Sequence, residues 1–183
     1  MVFFEQSARA VGPGEGFSLS PPVVSIVAKS GTGKTTLLEK LLPELRVLGL
    51  TVGVLKHHSH VSSFDVPGKD TYRLAEAGAD IVVGASPVQV AVFRRENGSG
   101  DLDAVIARSF AGMDLVLTEG YKRGPYAKIE VHRSGRSSEL LCDVEEMLAL
   151  VTDRSWDLPV PQFDFDDVTG LARFLLQYVD GGS

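Results

Sequence analysis

One stretch limits what this chain can fold into more than any other: Ala28-Lys29-Ser30-Gly31-Thr32-Gly33-Lys34-Thr35, set between an apolar run, Val23 to Val27, and a segment whose leucines recur at helical spacing. Small residues between a buried strand and a helix let successive backbone N–H groups wrap a phosphate at the positive end of the helix. Gly31 and Gly33 supply the turn, with Ser30 and Thr32 between and beside them; Lys34 supplies a cation for the outer phosphates, and Thr35 a hydroxyl for Mg²⁺. The segment therefore reads as a phosphate-binding loop. Ala28 stands where the strict pattern has glycine, and alanine is tolerated there if φ is negative and the position uncrowded.

The rest of the chain agrees with a strand–loop–helix start. Leu37, Leu38, Leu41, Leu42, Leu45 and Leu48 form one helical stripe ended by Gly49, with Pro43 inside it expected to kink the helix. Strands are expected at Thr51 to Leu55, Ile81 to Ala85, Gln89 to Phe93, Leu115 to Thr118, Ile129 to His132 and Met147 to Val151. Helices are expected at Asp70 to Ala77, Leu102 to Phe110 and through the stripe from Val168 to Val179. Alternating strands and helices predict a three-layer α/β fold of the P-loop NTPase type with a mostly parallel sheet. The pair in the 80s and 90s and the strand near 130 are expected to run antiparallel, because their connections look too short for a crossover helix.

At 183 residues the chain has room for a single α/β domain, assigned to residues 23–183 and preceded by an irregular Gly- and Pro-bearing leader at residues 1–22. A net charge of −6, from 18 basic against 24 acidic residues, argues against sequence-independent nucleic-acid binding, so an anionic ligand needs a local site. No apolar run approaches the ~18 residues a membrane helix needs. The single cysteine, Cys142, precludes an intrachain disulfide and suits a reducing cytoplasm.

A phosphate loop that uses Mg²⁺ needs a carboxylate at the end of a neighbouring buried strand. Glu119, closing Leu115 to Thr118, fits that need; Asp114, at the other end of the strand, does not. Asp65 and Asp70, beyond the second strand, are candidates for holding a metal-bound water or orienting an attacking one, and Asp70 reads equally well as a helix N-cap. His57, His58 and His60 match no fixed metal-ligand spacing and read better as solvated or phosphate-contacting. Lys122, Arg123, Lys128, Arg133 and Arg136 form a basic cluster expected to be mostly solvated surface, with Lys122 and Arg123 the better placed for a second phosphate. No guanine-reading NKxD or TKxD motif is present in the chain. Asp153, after the strand ending at Val151, is a candidate acceptor for the guanine N–H edge and equally an ordinary loop residue.

Taken together, AKSGTGKTTLLEKLLPEL, KHHSH, DVPGKDTYRLAEAGA and LVLTEGYKRGPYAKIEVHR, in this order from about Val23 to Phe174, resemble the MobB family of molybdopterin-guanine dinucleotide biosynthesis adapter proteins. The resemblance implies a GTP-binding P-loop protein that forms a homodimer and assists a molybdenum cofactor guanylyltransferase, which joins GMP to molybdopterin. By position it assigns Gly31, Gly33, Lys34, Thr35 and Thr36 to the phosphate loop, and Glu119 as the acid of the neighbouring strand. It places Asp65, Lys69 and Asp70 in the family's polar stretch after the second strand. Lys34, Asp65 and Glu119 are thereby the candidates for any catalysis, expected to be slow. The rival reading is a small-molecule kinase, in which the loop holds ATP and the arginines clamp an acceptor phosphate; a metal-inserting GTPase rests only on the histidines.

Overall fold

The chain is described here from a computed structural model over residues 21–58, 63–95 and 101–181. The expected leader lies outside the described residues except for Pro21 and Pro22, and His60 lies outside them as well.

Six strands form the main sheet: β1 (Val23–Val27), β2 (Val52–Lys56), β5 (Leu115–Glu119), β6 (Ala127–His132), β7 (Met147–Thr152) and β8 (Gln162–Phe163). Their order is β2-β5-β1-β6-β7-β8, and every pairing is parallel. The helices are α1 (Lys34–Val47), α2 (Asp70–Glu76), α3 (Leu102–Ser109) and α4 (Val168–Gly181), and β3 (Ile81–Ala85) pairs antiparallel with β4 (Val90–Arg94) as a separate ribbon. The α/β architecture read from the alternation is therefore the one observed.

One face of the sheet packs against the long helices. Val24, Ile26, Leu117, Ile129 and Val131 meet Leu38, Leu41 and Leu45 of α1 and Leu171 and Leu175 of α4, all nearly inaccessible to water. On the opposite face Val116 and Leu55 pack with Ile106 of α3. Side chains alternate faces along a strand, so the same β5 feeds both layers. Between β1 and β5, Ser25 and Thr118 share a buried hydroxyl hydrogen bond of 2.8 Å.

Several expectations change. β6 is parallel to both β1 and β7, not antiparallel. The connection from Glu119 to Ala127 is short, but little return is needed: Glu119 lies opposite Ile26 and Ala127 opposite Val24, two residues back along β1, so a segment of turns suffices where a crossover helix was expected. α1 runs unbroken through Pro43. Pro43 and Glu39 are both exposed, so water can satisfy the carbonyl that loses its N–H partner. The N-cap position of α2 is Lys69, with Asp70 in the first turn. The turn Val66 to Lys69, closed by Lys69 N–H to the Val66 carbonyl at 3.2 Å, sets that start. The two-residue β8 was too short to leave a pattern.

Candidate functional site

β1 delivers the candidate phosphate loop to the carboxyl edge of the sheet, and α1 begins at Lys34. Gly31 has φ 73° and Gly33, at the N-cap of α1, φ 106°, a left-handed conformation that a side chain would strain. Ala28 is buried at the end of β1 and is not among the positive-φ positions, so alanine suffices there. Thr32 is 2% exposed and its hydroxyl donates to the Lys29 carbonyl at 2.8 Å, bracing the loop from within. Ser30, Thr35 and Thr36 are exposed at its mouth.

Glu119 ends β5 directly beside this loop. Thr35 Oγ1 donates to Glu119 Oε1 at 2.8 Å, and Lys56 Nζ, from the end of β2, lies 3.7 Å from Glu119 Oε2. Burial lowers the Lys34 pKa; Glu119 raises it in part, and Lys122 and Lys56 lower it again. Lys34, Lys56 and Lys122 thus gather around one carboxylate at the strand ends. The pairing of a Thr hydroxyl with a carboxylate is a hard-oxygen donor set, which suits Mg²⁺. Asp114 sits at the far end of β5 and accepts from Thr51 N–H (2.7 Å) and the Thr51 hydroxyl (2.6 Å), a structural tie.

Other predicted residues go elsewhere. Asp65 accepts from Val66 N–H (2.7 Å) and Thr71 Oγ1 (3.1 Å) and lines a cavity of about 450 Å³ with Phe64, Tyr72, Phe93 and Arg94, so its neighbours are α2 and β4 and not the phosphate loop. Asp70 pairs with Arg73 at 3.7 Å on the exposed side of α2. His57 packs tilted against Tyr121 and His58 meets Phe64 edge-on; among the described residues no group of three metal-binding side chains occurs. Asp153 accepts from Ser134 N–H (2.8 Å) and Ser134 Oγ (3.1 Å), and these bonds hold its carboxyl below the usual range.

The basic cluster is not uniformly a solvated surface. Lys128 is 2% exposed and pairs with Glu146 at 3.0 Å, while Glu130, 1% exposed, accepts the N–H groups of Leu141 and Cys142 at 2.9 Å. Arg133 Nε donates to the Thr32 carbonyl at 3.0 Å across 101 positions of sequence, which no local pattern foretold.

A family profile described as molybdopterin guanine dinucleotide synthesis protein B, MobB, matches residues 23–153. The molybdopterin-guanine dinucleotide biosynthesis adapter protein of Escherichia coli (strain K12) is 38% identical over 164 residues, covering 86% of this chain and 93% of that protein. The protein of the same name from Haemophilus influenzae is 36% identical, covering 84% and 87%. Among solved structures, a crystal structure of molybdopterin-guanine biosynthesis protein B superposes with TM-score 0.70 at 33% identity, over 86% of this chain and 99% of the other. Bacillus subtilis MobB superposes at TM-score 0.68 and 26% identity, over 85% and 97%.

Proposed function

Because the chain belongs to the molybdopterin guanine dinucleotide synthesis protein B family, we propose that it is a nucleotide-dependent adapter. It binds GTP with Mg²⁺ and assists a guanylyltransferase that joins GMP to molybdopterin. The observation that carries this reading is the contact of Thr35 with Glu119 at 2.8 Å, at the mouth of a loop whose glycines and Lys34 suit a phosphate chain.

In this reading the loop's N–H groups and the α1 N-terminus hold the phosphates, and Lys34 neutralises the outer ones. Thr35 and Glu119 would hold the metal, whose chemistry is to neutralise phosphate charge. Asp153 is the candidate for the base edge. Hydrolysis by the isolated chain is slow: Asp65 accepts through one oxygen from Val66 and Thr71, and the cavity it lines is built from α2 and β4 without residues of the loop.

The adapter acts as a homodimer. Ile81, Val83, Val90 and Val92 fall on one face of the β3–β4 ribbon and are 42%, 57%, 63% and 58% exposed. A two-stranded ribbon is marginal alone, and such a face favours a second copy of the chain.

The experiment is to titrate the protein with GTP and ATP, with and without Mg²⁺, then add it to the guanylyltransferase and molybdopterin under limiting GTP. More dinucleotide cofactor should form than with the transferase alone, and Lys34→Ala should remove the increment without unfolding the chain. No increment, or several turnovers per second of ATP with a small acceptor, would overturn the adapter in favour of the kinase.

A further inference from the structure

The loop after β6 stands against the candidate phosphate loop and brings two arginines, Arg133 and Arg136, to it. Residues 133–137 form a tight turn in which Arg136 N–H and Ser137 N–H both donate to the Arg133 carbonyl, at 2.9 and 3.1 Å. The turn is fixed from several sides. Asp153 holds Ser134 through both carboxylate oxygens. His132 Nε2 lies 3.0 Å from the Ser137 carbonyl, which can only accept, so that nitrogen carries the proton. The Arg133 guanidinium lies 3.8 Å over the Phe165 ring while its Nε holds the Thr32 carbonyl.

These contacts bring two cations to the two glycines that shape the phosphate loop. A Cβ on Gly33 would stand 3.9 Å from an Arg133 terminal nitrogen, and one on Gly31 would stand 3.8 Å from the Arg136 guanidinium carbon. Arg133 is occupied by Thr32 and Phe165. Arg136 is exposed and its guanidinium has no hydrogen bond or ion pair among the described residues; Glu139 lines the same crevice without coming within ion-pair distance. In a chain of net charge −6, a cation held beside backbone N–H groups without a carboxylate partner is placed for an anion. One phosphate would need only Lys34. Cations at both the Gly31 and the Lys34 ends of the loop suit an extended chain of phosphates.

We infer that Arg136 binds the phosphate chain of a nucleoside di- or triphosphate in the loop, and that Arg133 is the positioning residue that holds the β6–β7 turn in place for it. The inference rests on the phosphate-loop assignment proposed above and adds a second wall to that site, contributed by the loop beyond β6.

The test measures dissociation constants of guanosine, GMP, GDP and GTP, with Mg²⁺, for the full chain and for Arg136→Ala, Arg136→Lys, Arg133→Ala and the double alanine variant. Arg136→Ala should weaken GTP and GDP about tenfold to a hundredfold, the loss of one charge-assisted contact. Guanosine binding and the thermal midpoint should stay unchanged, and Arg136→Lys should recover part of the loss. Arg133→Ala should also weaken GTP, and the double variant should lose far less than the sum of the two single losses, because Arg133 acts through the placement of Arg136. If Arg136→Ala binds GTP normally while Lys34→Ala does not, this inference falls and the phosphate loop stands. If the unaltered chain binds no nucleotide, both fall. An equal loss for guanosine and GTP would assign Arg136 to the base or the fold and overturn its role at the phosphates.

Discussion

Replacing Glu119 by Gln tests the metal side of the site with little damage to the fold. The amide keeps an oxygen for the Thr35 hydroxyl, now 2.8 Å from Glu119 Oε1, and loses the charge that faces Lys56 at 3.7 Å. Weakening a charge-assisted hydrogen bond to a neutral one costs about 1 kcal/mol. The ion pair with a half-exposed lysine adds about 0–1 kcal/mol. For a domain of this size, a loss of about 1–2 kcal/mol lowers the melting midpoint by roughly 2–8 °C. The effect on binding should be larger. Loss of a group that holds or orients a metal typically costs about 10- to 100-fold in metal affinity, so the GTP dissociation constant in Mg²⁺ should rise by that factor, about 1.4–2.8 kcal/mol. In chelator the same variant should bind GTP as well as the unaltered chain or better, since a carboxylate that repels phosphate is gone. Calorimetric titration in both conditions measures the difference. An equal loss with and without Mg²⁺ would refute the metal role and leave Glu119 as a brace for Thr35.

Four further outcomes follow from the structure. Burial holds the Lys34 pKa low and Glu119 partly restores it, so GTP affinity in chelator should fall as alkaline pH removes the proton; in Glu119→Gln that fall should begin at lower pH, and coincident profiles would deny the coupling. Burial, and then Glu130, push the Cys142 thiol up to about 12, so alkylation at pH 8 should run about a thousandfold slower than for a thiol with pKa near 9; an ordinary rate would mean that the site opens in solution. Glu130→Ala strands the N–H groups of Leu141 and Cys142 and should cost about 2–5 kcal/mol in urea denaturation; a loss below ~1 kcal/mol would show that water replaces the carboxylate. Light scattering should give a dimer mass at micromolar concentration and a monomer for Val83→Glu with Val92→Glu, which face each other across the ribbon; a monomer in the unaltered chain counts against the dimer.

The strand–turn–helix at Gly31 and Gly33 was legible because its geometry is local: positive φ demands the two glycines, and the strand before and helix after them announce themselves by period. Glu119 was legible because a buried strand ending in an acid leaves few places for that acid to lie. The direction of β6 was misread from the length of its connection, since a run of turns between Glu119 and Ala127 has no periodic signature and the register shows how little return it must make. The roles of Lys128, Arg133 and Arg136 were hidden for a related reason. In sequence they look like one charged surface, and only the fold separates a lysine 2% exposed from an arginine held at Thr32 and another whose guanidinium has no partner among the described residues. Asp65 accepts hydrogen bonds from Val66 and Thr71 in its own stretch of chain, contacts that its spacing in the sequence does not announce.

β6 presents Ile129 and Val131 to the layer of α1 and α4, and Lys128, Glu130 and His132 to the other side, all nearly sealed from water. A slip of one residue would exchange these sets. It would drive an ammonium, a carboxylate and an imidazole into a layer of leucines, and strand two aliphatic side chains where Glu146, Leu141 and Thr152 wait for polar partners. Most central strands are discouraged from slipping by misfit of shape alone. Here the deterrent is desolvated charge, which is far steeper, so β6 has a single admissible alignment. Neutral apolar replacements at Lys128 and Glu130 would then loosen the choice of register even where they left the native state well packed.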